Sequence, residues 1–118
     1  MAHILVVEDD EDLLFLYATM FARQGHTTFK AMTVAEAVQF LDSAPVDLVV
    51  LDMNMPDAPG IRVVEWMRQH PSYADVPVVV ISANDQWRKL CVELGVEHFL
   101  TKPVSMQHIL ALLDDLLA

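Results

Sequence analysis

Short runs of apolar, mostly β-branched residues alternate along this chain with longer stretches in which apolar positions return every three or four residues. The runs are Ile4 to Val7, the weaker Thr27 to Ala31, Leu48 to Leu51, Val76 to Ile81 apart from Pro77, and His98 to Leu100. Each predicts a strand, and the stretches that follow them predict helices, so the unit is a repeated βα pair. Leu48-Val49-Val50-Leu51 and Val78-Val79-Val80-Ile81 are apolar at every position, which requires cover on both faces of those strands. A strand of an antiparallel sandwich would alternate instead. The pattern therefore predicts an α/β domain, a parallel sheet doubly wound with helices on each side.

The helices carry their own boundaries. Gly25 closes a first helix from about Glu11 to Gln24, and Thr33-Val34-Ala35-Glu36 is a capping box that opens the second, which Pro45 follows. Gly60 precedes the third, which stops near His70-Pro71; Gly95 closes a fourth from about Asp85, and Ser105 caps the fifth. In the fifth, Met106, Ile109, Leu110, Leu112, Leu113, Leu116 and Leu117 cover an arc of roughly 160°, at about 100° per residue. A core stripe can be narrower, and two readings stay open: a face for a partner or second copy, or ordinary core in a small domain. Met1 to His3 precede the pattern and are expected to be loose.

With 118 residues, 54% hydrophobic and 20% charged, the chain is expected to fold as one domain spanning residues 1–118. Seven Lys and Arg stand against seventeen Asp and Glu, a formal charge of −10. A surface of that sign repels a phosphate backbone, so direct nucleic-acid contact is not expected, whereas divalent cations and basic partners are favoured. A solvated acidic surface is the plain explanation for most of the charge. No apolar run approaches the roughly 20 residues of a membrane span and no basic, Leu-rich signal opens the chain, so the expected compartment is the cytoplasm. Cys91 is the lone cysteine, and its setting between Leu90 and Leu94 predicts a small buried side chain. His3, His26, His70, His98 and His108 lack metal-ligand spacing. Trp66 and Trp87 fall on predicted helices, and Trp87 can either cover the core or face a partner.

In a doubly wound sheet, ligands gather beyond the carboxyl ends of the strands. There the first strand ends in Glu8-Asp9-Asp10, the third in Asp52, the fourth in Ser82 and the fifth in Thr101-Lys102-Pro103. Carboxylates crowded from neighbouring strands repel one another unless a cation sits among them, and oxygen ligands with room for water suit Mg2+ or Mn2+. An Asp beside such a cation can attack phosphorus if the phosphoryl oxygens are neutralised, which the metal and Lys102 can do. Ser82 can donate a hydrogen bond to one of those oxygens. Asp10 and Asp12 read as charges at a helix N-terminus.

Val6-Val7-Glu8-Asp9-Asp10, Asp52-Met53-Asn54-Met55-Pro56 with Gly60, Ile81-Ser82-Ala83 and Lys102-Pro103 stand in order across the whole chain. Together they resemble the motifs of response-regulator receiver domains in two-component signalling, of the single-domain, chemotaxis-regulator kind. The resemblance implies a flavodoxin-like (βα)5 fold with strand order 2-1-3-4-5. It implies that Asp52 is the phosphoacceptor, that Glu8 and Asp9 hold Mg2+ or Mn2+ with Asp52, directly or through water, and that Asn54 adds its backbone carbonyl. It further implies a cis Lys102-Pro103 bond, a Lys102 that contacts the phosphoryl group, Ser82 as switch hydroxyl, and Phe99 as the ring whose burial changes with it. The implied donor is a sensor histidine kinase or phosphotransfer protein. With Ala118 taken as the end, the implied output is a protein partner, self-association through helix four, strand five and helix five, or phosphate relay to another histidine. No membrane or direct nucleic-acid contact is implied, and no catalysis beyond the domain's own phosphorylation and dephosphorylation.

Three features depart from that family's usual pattern. The segment from Ser82 to Gly95 is a little short, Pro59 precedes Gly60 where an acid is frequent, and Val104 follows Lys102-Pro103 where an aromatic is frequent. They bear on the face around helix four, not on the catalytic set. A phosphatase of the haloacid dehalogenase kind would need an acid two residues after the nucleophile, where this chain has Asn54. A flavodoxin-like cofactor binder would need a Gly-rich or hydroxyl-rich phosphate loop in place of Glu8-Asp9-Asp10-Glu11-Asp12. A phosphate-independent docking module on the same fold stays open, with intact Glu8, Asp9, Asp52 and Lys102 counting against it.

Overall fold

Strands that are apolar on both faces need two layers of cover, and the chain supplies them in sequence. A computed structural model describes residues 1–118: strands β1 (His3–Val7), β2 (Thr27–Ala31), β3 (Leu48–Leu51), β4 (Val78–Ser82) and β5 (His98–Thr101) alternate with helices α1 (Glu11–Arg23), α2 (Val34–Ser43), α3 (Ile61–Arg68), α4 (Arg88–Glu93) and α5 (Met106–Leu117). Every strand pair is parallel, in the order β2-β1-β3-β4-β5. This is the doubly wound, flavodoxin-like order that the resemblance implies.

The pleat sorts alternate residues into two separate cores. Leu5, Val7, Val49, Leu51, Val78 and Val80 pack beneath α2, α3 and α4, with Ile61, Val64 and Met67 among the buried partners. Ile4, Val6, Leu48, Val50, Val79 and Ile81 pack beneath α1 and α5, against Leu14, Tyr17, Phe21, Ile109 and Leu113. The wide apolar arc of α5 is largely absorbed there: Ile109 and Leu113 are buried, and Met106, Leu110, Leu112, Leu116 and Leu117 are partly buried against the same cluster. The exposed large apolar side chains lie elsewhere, at Met1, Phe15, Leu16, Met32 and Val92. No helix is long and apolar enough to cross a membrane.

Helix ends follow the capping signals. Asp10 accepts from Leu13 N at 3.1 Å, Thr33 from Glu36 N at 3.0 Å, and Ser105 from His108 N at 3.1 Å. The Glu36 carboxylate in turn accepts from Met32 N at 2.7 Å, one residue before the cap. Gly25 ends α1 at φ +89°, a conformation that a side chain resists.

Four boundaries differ from the sequence pattern. His3 is not loose but opens β1, since Ala2 O accepts from Thr27 N at 2.8 Å and Asp47 accepts from His3 N at 2.8 Å. β4 starts at Val78, not Val76: the Val76 carbonyl is taken by Arg68 at 3.2 Å, and Pro77 has no N–H to give a ladder. α4 starts at Arg88, not Asp85, because the Asn84 side chain accepts from Gln86 N at 3.1 Å and forms a local turn that competes with the helix. β5 runs one residue further, to Thr101, paired with Ser82. At the amino ends of the strands Arg68 also donates to Leu94 O at 2.8 Å and to Tyr73 O and Ala74 O at 3.3 and 3.1 Å. It thereby ties α3, the following loop and the end of α4 together, opposite the rim where the polar residues gather.

Candidate functional site

The carboxyl ends of β1, β3 and β4 deliver Glu8, Asp52 and Ser82, the three buried polar or charged residues of the chain. Glu8 N donates to Ala31 O and Asp52 N to Val7 O, each at 3.0 Å, so both residues are still fixed by the sheet's ladder. Glu8 is further held by Asp10 N, which donates to its Oε2 at 3.1 Å. Asp52 Oδ1 accepts from Asn54 N at 3.0 Å. Lys102 reaches in from the loop after β5: its backbone N donates to Ser82 O at 2.7 Å, and the Lys102-Pro103 bond is cis. Its ammonium donates to Asp52 Oδ2 at 3.1 Å and Glu8 Oε1 at 3.2 Å.

Glu8, Asp9 and Asp52 each place a carboxylate oxygen within 4.8 Å of the others, Asp9 on the exposed side. Three carboxylates thus gather where one ammonium bonds two of them. Burial pushes the Glu8 carboxyl up to about 6, against the hydrogen bond from Asp10 and the attraction of Lys102 that pull it down. Burial would depress the Lys102 ammonium, but its bond to Asp52 and the charges of Asp52 and Glu8 outweigh that and raise it. The donor set is all oxygen, carries excess negative charge and opens to solvent at Asp9, which fits a small hard dication. Ser82 Oγ is fully buried with no hydrogen-bond partner, so this rim carries an unused donor.

The loop after β3 is anchored more firmly than its sequence suggests. Gly60 N donates to Met53 O at 2.8 Å, and a Cβ at Gly60 would lie 2.3 Å from the Asp52 carbonyl oxygen, so only glycine lets the start of α3 close against the Asp52 backbone. Asp57 spans to α2: its two carboxylate oxygens accept from Val34 N at 2.9 Å and Ala35 N at 3.1 Å. The bond from Val34 foremost holds the Asp57 carboxyl below its usual range. Nothing in the linear pattern around Asp57 marks it for this role. Its position after Pro56 marks a turn, but nothing in linear spacing points to residues 22 and 23 positions earlier.

The remaining expected residues take definite places. Asn54 is exposed, two residues beyond Asp52. Phe99 is partly buried against the α2–α4 core, with the Arg88 guanidinium 4.5 Å from its ring centre. Trp87 also packs partly against that core and lines a hollow with residues 53–59. Cys91 is buried, which raises its thiol above the ordinary value. His70 stacks on Trp66 with ring centres 3.6 Å apart, and His3 lies 3.5 Å from Asp47.

The family model for the response regulator receiver domain matches residues 4–114. The chain is 31% identical over 116 residues to the transcriptional regulatory protein GltR of Pseudomonas aeruginosa, covering 97% of this chain and 48% of that protein. It spans half or less of the first curated relatives that it matches. The non-phosphorylated HemR receiver domain of Leptospira biflexa superposes with a TM-score of 0.90 at 29% identity, covering 100% of this chain and 95% of that one. The response regulator TrrA of Thermotoga maritima, solved in complex with Mg2+-BeF, superposes at 0.86 over 98% of this chain and 99% of that one; at 23% identity it shows the shared fold alone.

Two outcomes follow from this geometry. Gly60→Ala is expected to cost about 1–3 kcal/mol, since backbone atoms must move to admit the methyl group, and to weaken Mn2+ binding. A urea midpoint and Mn2+ affinity equal to the wild type would show that the contact yields freely. In EDTA, the folded chain holds the Glu8 proton up to about pH 6, whereas 4.5 is its ordinary value. The neutral form is the favoured one, so this residue's contribution to stability is full below pH 4.5 and declines as pH rises to 6. Glu8→Gln is therefore expected to gain stability relative to the wild type across that window, by on the order of 1 kcal/mol in urea unfolding; a difference that does not change with pH would contradict it.

Proposed function

This chain belongs to the response regulator receiver domain family, and from that premise we propose that it is a phosphorylation-dependent switch whose phosphoacceptor is Asp52. The observation that carries this reading is the Asp52 carboxylate itself. It is 7% exposed at the end of a central strand, clustered with Glu8 and Asp9, and paired with Lys102 at 3.1 Å. A buried carboxylate at the meeting point of a cation site and a fixed ammonium is set up as a nucleophile toward phosphorus.

In the proposed reaction an Asp52 oxygen attacks the phosphorus of a phosphohistidine on a kinase or phosphotransfer protein. The P–N bond breaks, the imidazole leaves with its electron pair, and an aspartyl phosphate remains. Lys102, already at the Asp52 oxygen, shifts its hydrogen bond toward the phosphoryl oxygens. Glu8, Asp9, Asp52 and the Asn54 carbonyl would hold Mg2+ or Mn2+, which when bound neutralises the charge that gathers on those oxygens. Ser82, whose buried hydroxyl has no partner, gains an acceptor once the phosphoryl group is present.

That new bond links chemistry to output. Ser82 ends β4, and its neighbour β5 carries Phe99 beneath Arg88. Movement of the Ser82 segment toward the phosphoryl group changes the room available to Phe99 and repacks the α4–β5–α5 face, altering affinity for a protein partner.

Intact mass after incubation with acetyl phosphate and Mg2+ tests the assignment. One added phosphoryl group is expected in the wild type and none in Asp52→Asn or in EDTA; full labelling of Asp52→Asn would overturn it. Lys102→Ala is expected to keep metal binding but slow phosphorylation about a hundredfold, and unchanged kinetics would remove the lysine from the mechanism.

A further inference from the structure

The first turn of a helix leaves its leading N–H groups without intrahelical partners, and a local cap commonly satisfies one or two of them. In α2 the local cap, Thr33, takes only Glu36 N. Val34 N and Ala35 N are satisfied from a distance, by the two oxygens of Asp57. The carboxylate sits at the positive end of the helix dipole, so both the hydrogen bonds and the charge favour this placement. α3, by contrast, has no side-chain cap.

The clamp falls at the middle of the segment that leads away from Asp52. The two ends of that segment are closed on each other by Gly60 N donating to Met53 O, and Asn54 N is engaged by Asp52. Met55 and Ala58, on either side of the Pro56-Asp57 pair, pack partly against the α2–α4 core. Asp57 is the side chain that fastens the tip of this loop to another element through hydrogen bonds.

We propose that Asp57 is a positioning residue for the cation: by tying the β3–α3 loop to the N-terminus of α2, it holds the Asn54 carbonyl where an ion gathered by Glu8, Asp9 and Asp52 meets it. This rests on the metal reading proposed above. Groups that orient a ligand without touching the ion commonly change metal affinity by about tenfold or more when removed.

The test is Mn2+ affinity, followed by loss of the free-ion electron paramagnetic resonance signal, in the wild type, Asp57→Ala, Asp57→Asn and Thr33→Ala, with urea unfolding in EDTA beside each. Asp57→Ala is expected to weaken Mn2+ about tenfold. Asp57→Asn keeps an oxygen acceptor and is expected to recover most of the loss. Thr33→Ala removes the other cap of the same helix, and is expected to lower stability while leaving affinity within about twofold. Equal affinity in Asp57→Ala and wild type, or an equal loss in Thr33→Ala, would make Asp57 a plain helix cap and overturn the proposal. An equal loss in Asp57→Asn and Asp57→Ala would assign the effect to charge and also overturn it. Absence of Mn2+ binding in the wild type would overturn the metal reading itself, a failure distinct from the others.

Discussion

The contact on which the rest of this molecule turns is Lys102 between Asp52 and Glu8. It joins three stretches of chain that are far apart in sequence, with separations of 50 and 94 residues, in one hydrogen-bonded group. A single ammonium offsets part of the repulsion among Glu8, Asp9 and Asp52, and the residual negative charge is what recommends a dication. The same contact depends on the fold beneath it. Lys102 is aimed inward because its backbone is bonded to Ser82 O, and Asp52 is held because its N–H is still on the β1 ladder. Stability and chemistry are therefore coupled at this rim: the charges are costly to bury, and the sheet is what keeps them buried.

Much of the fold was legible because it is written in local patterns. Runs such as Leu48 to Leu51, apolar at every position, admit few other fates than a strand covered on both sides, and capping residues such as Thr33 and Ser105 mark helix starts by their own short-range bonds. The rim was legible too, since in a parallel sheet the residue after each strand must lie at the same edge. What escaped were boundaries and contacts decided by partners distant in sequence. Val76 looks like strand until Arg68, eight residues earlier, claims its carbonyl. The start of α4 was lost to the Asn84 side chain, a competitor that a helical period does not reveal. Asp57 reads as a turn acid until its two bonds to α2 are seen, and the need for Gly60 is visible only once the Asp52 carbonyl lies against it. The broad apolar arc of α5 had two readings, and packing against the α1 side of the sheet accounts for most of it.

The two ends of the sheet divide their labour. At the amino ends, Arg68 gathers four carbonyls from α4 and the loop before β4, so its guanidinium finds acceptors in the backbone itself. At the carboxyl ends, polar groups are left partly unmatched: excess carboxylate, and a serine hydroxyl without a partner. The Thr28 hydroxyl on β2 is also buried without a partner, but only at the carboxyl-end rim does such a group stand beside excess carboxylate, the combination expected of a site that something else completes.

α4 is the shortest helix, six residues long, and Cys91 is its one fully buried side chain, with Trp87, Leu90 and Leu94 partly buried around it. Such an element rests on a fulcrum, not a bed. Rocking it about Cys91 disturbs few fully buried contacts, whereas tilting α1 or α3 would tear several out of the core at once. The segment that begins just after Ser82 thus rests on fewer fully buried side chains than its neighbours, so displacing α4 costs less than displacing α1 or α3.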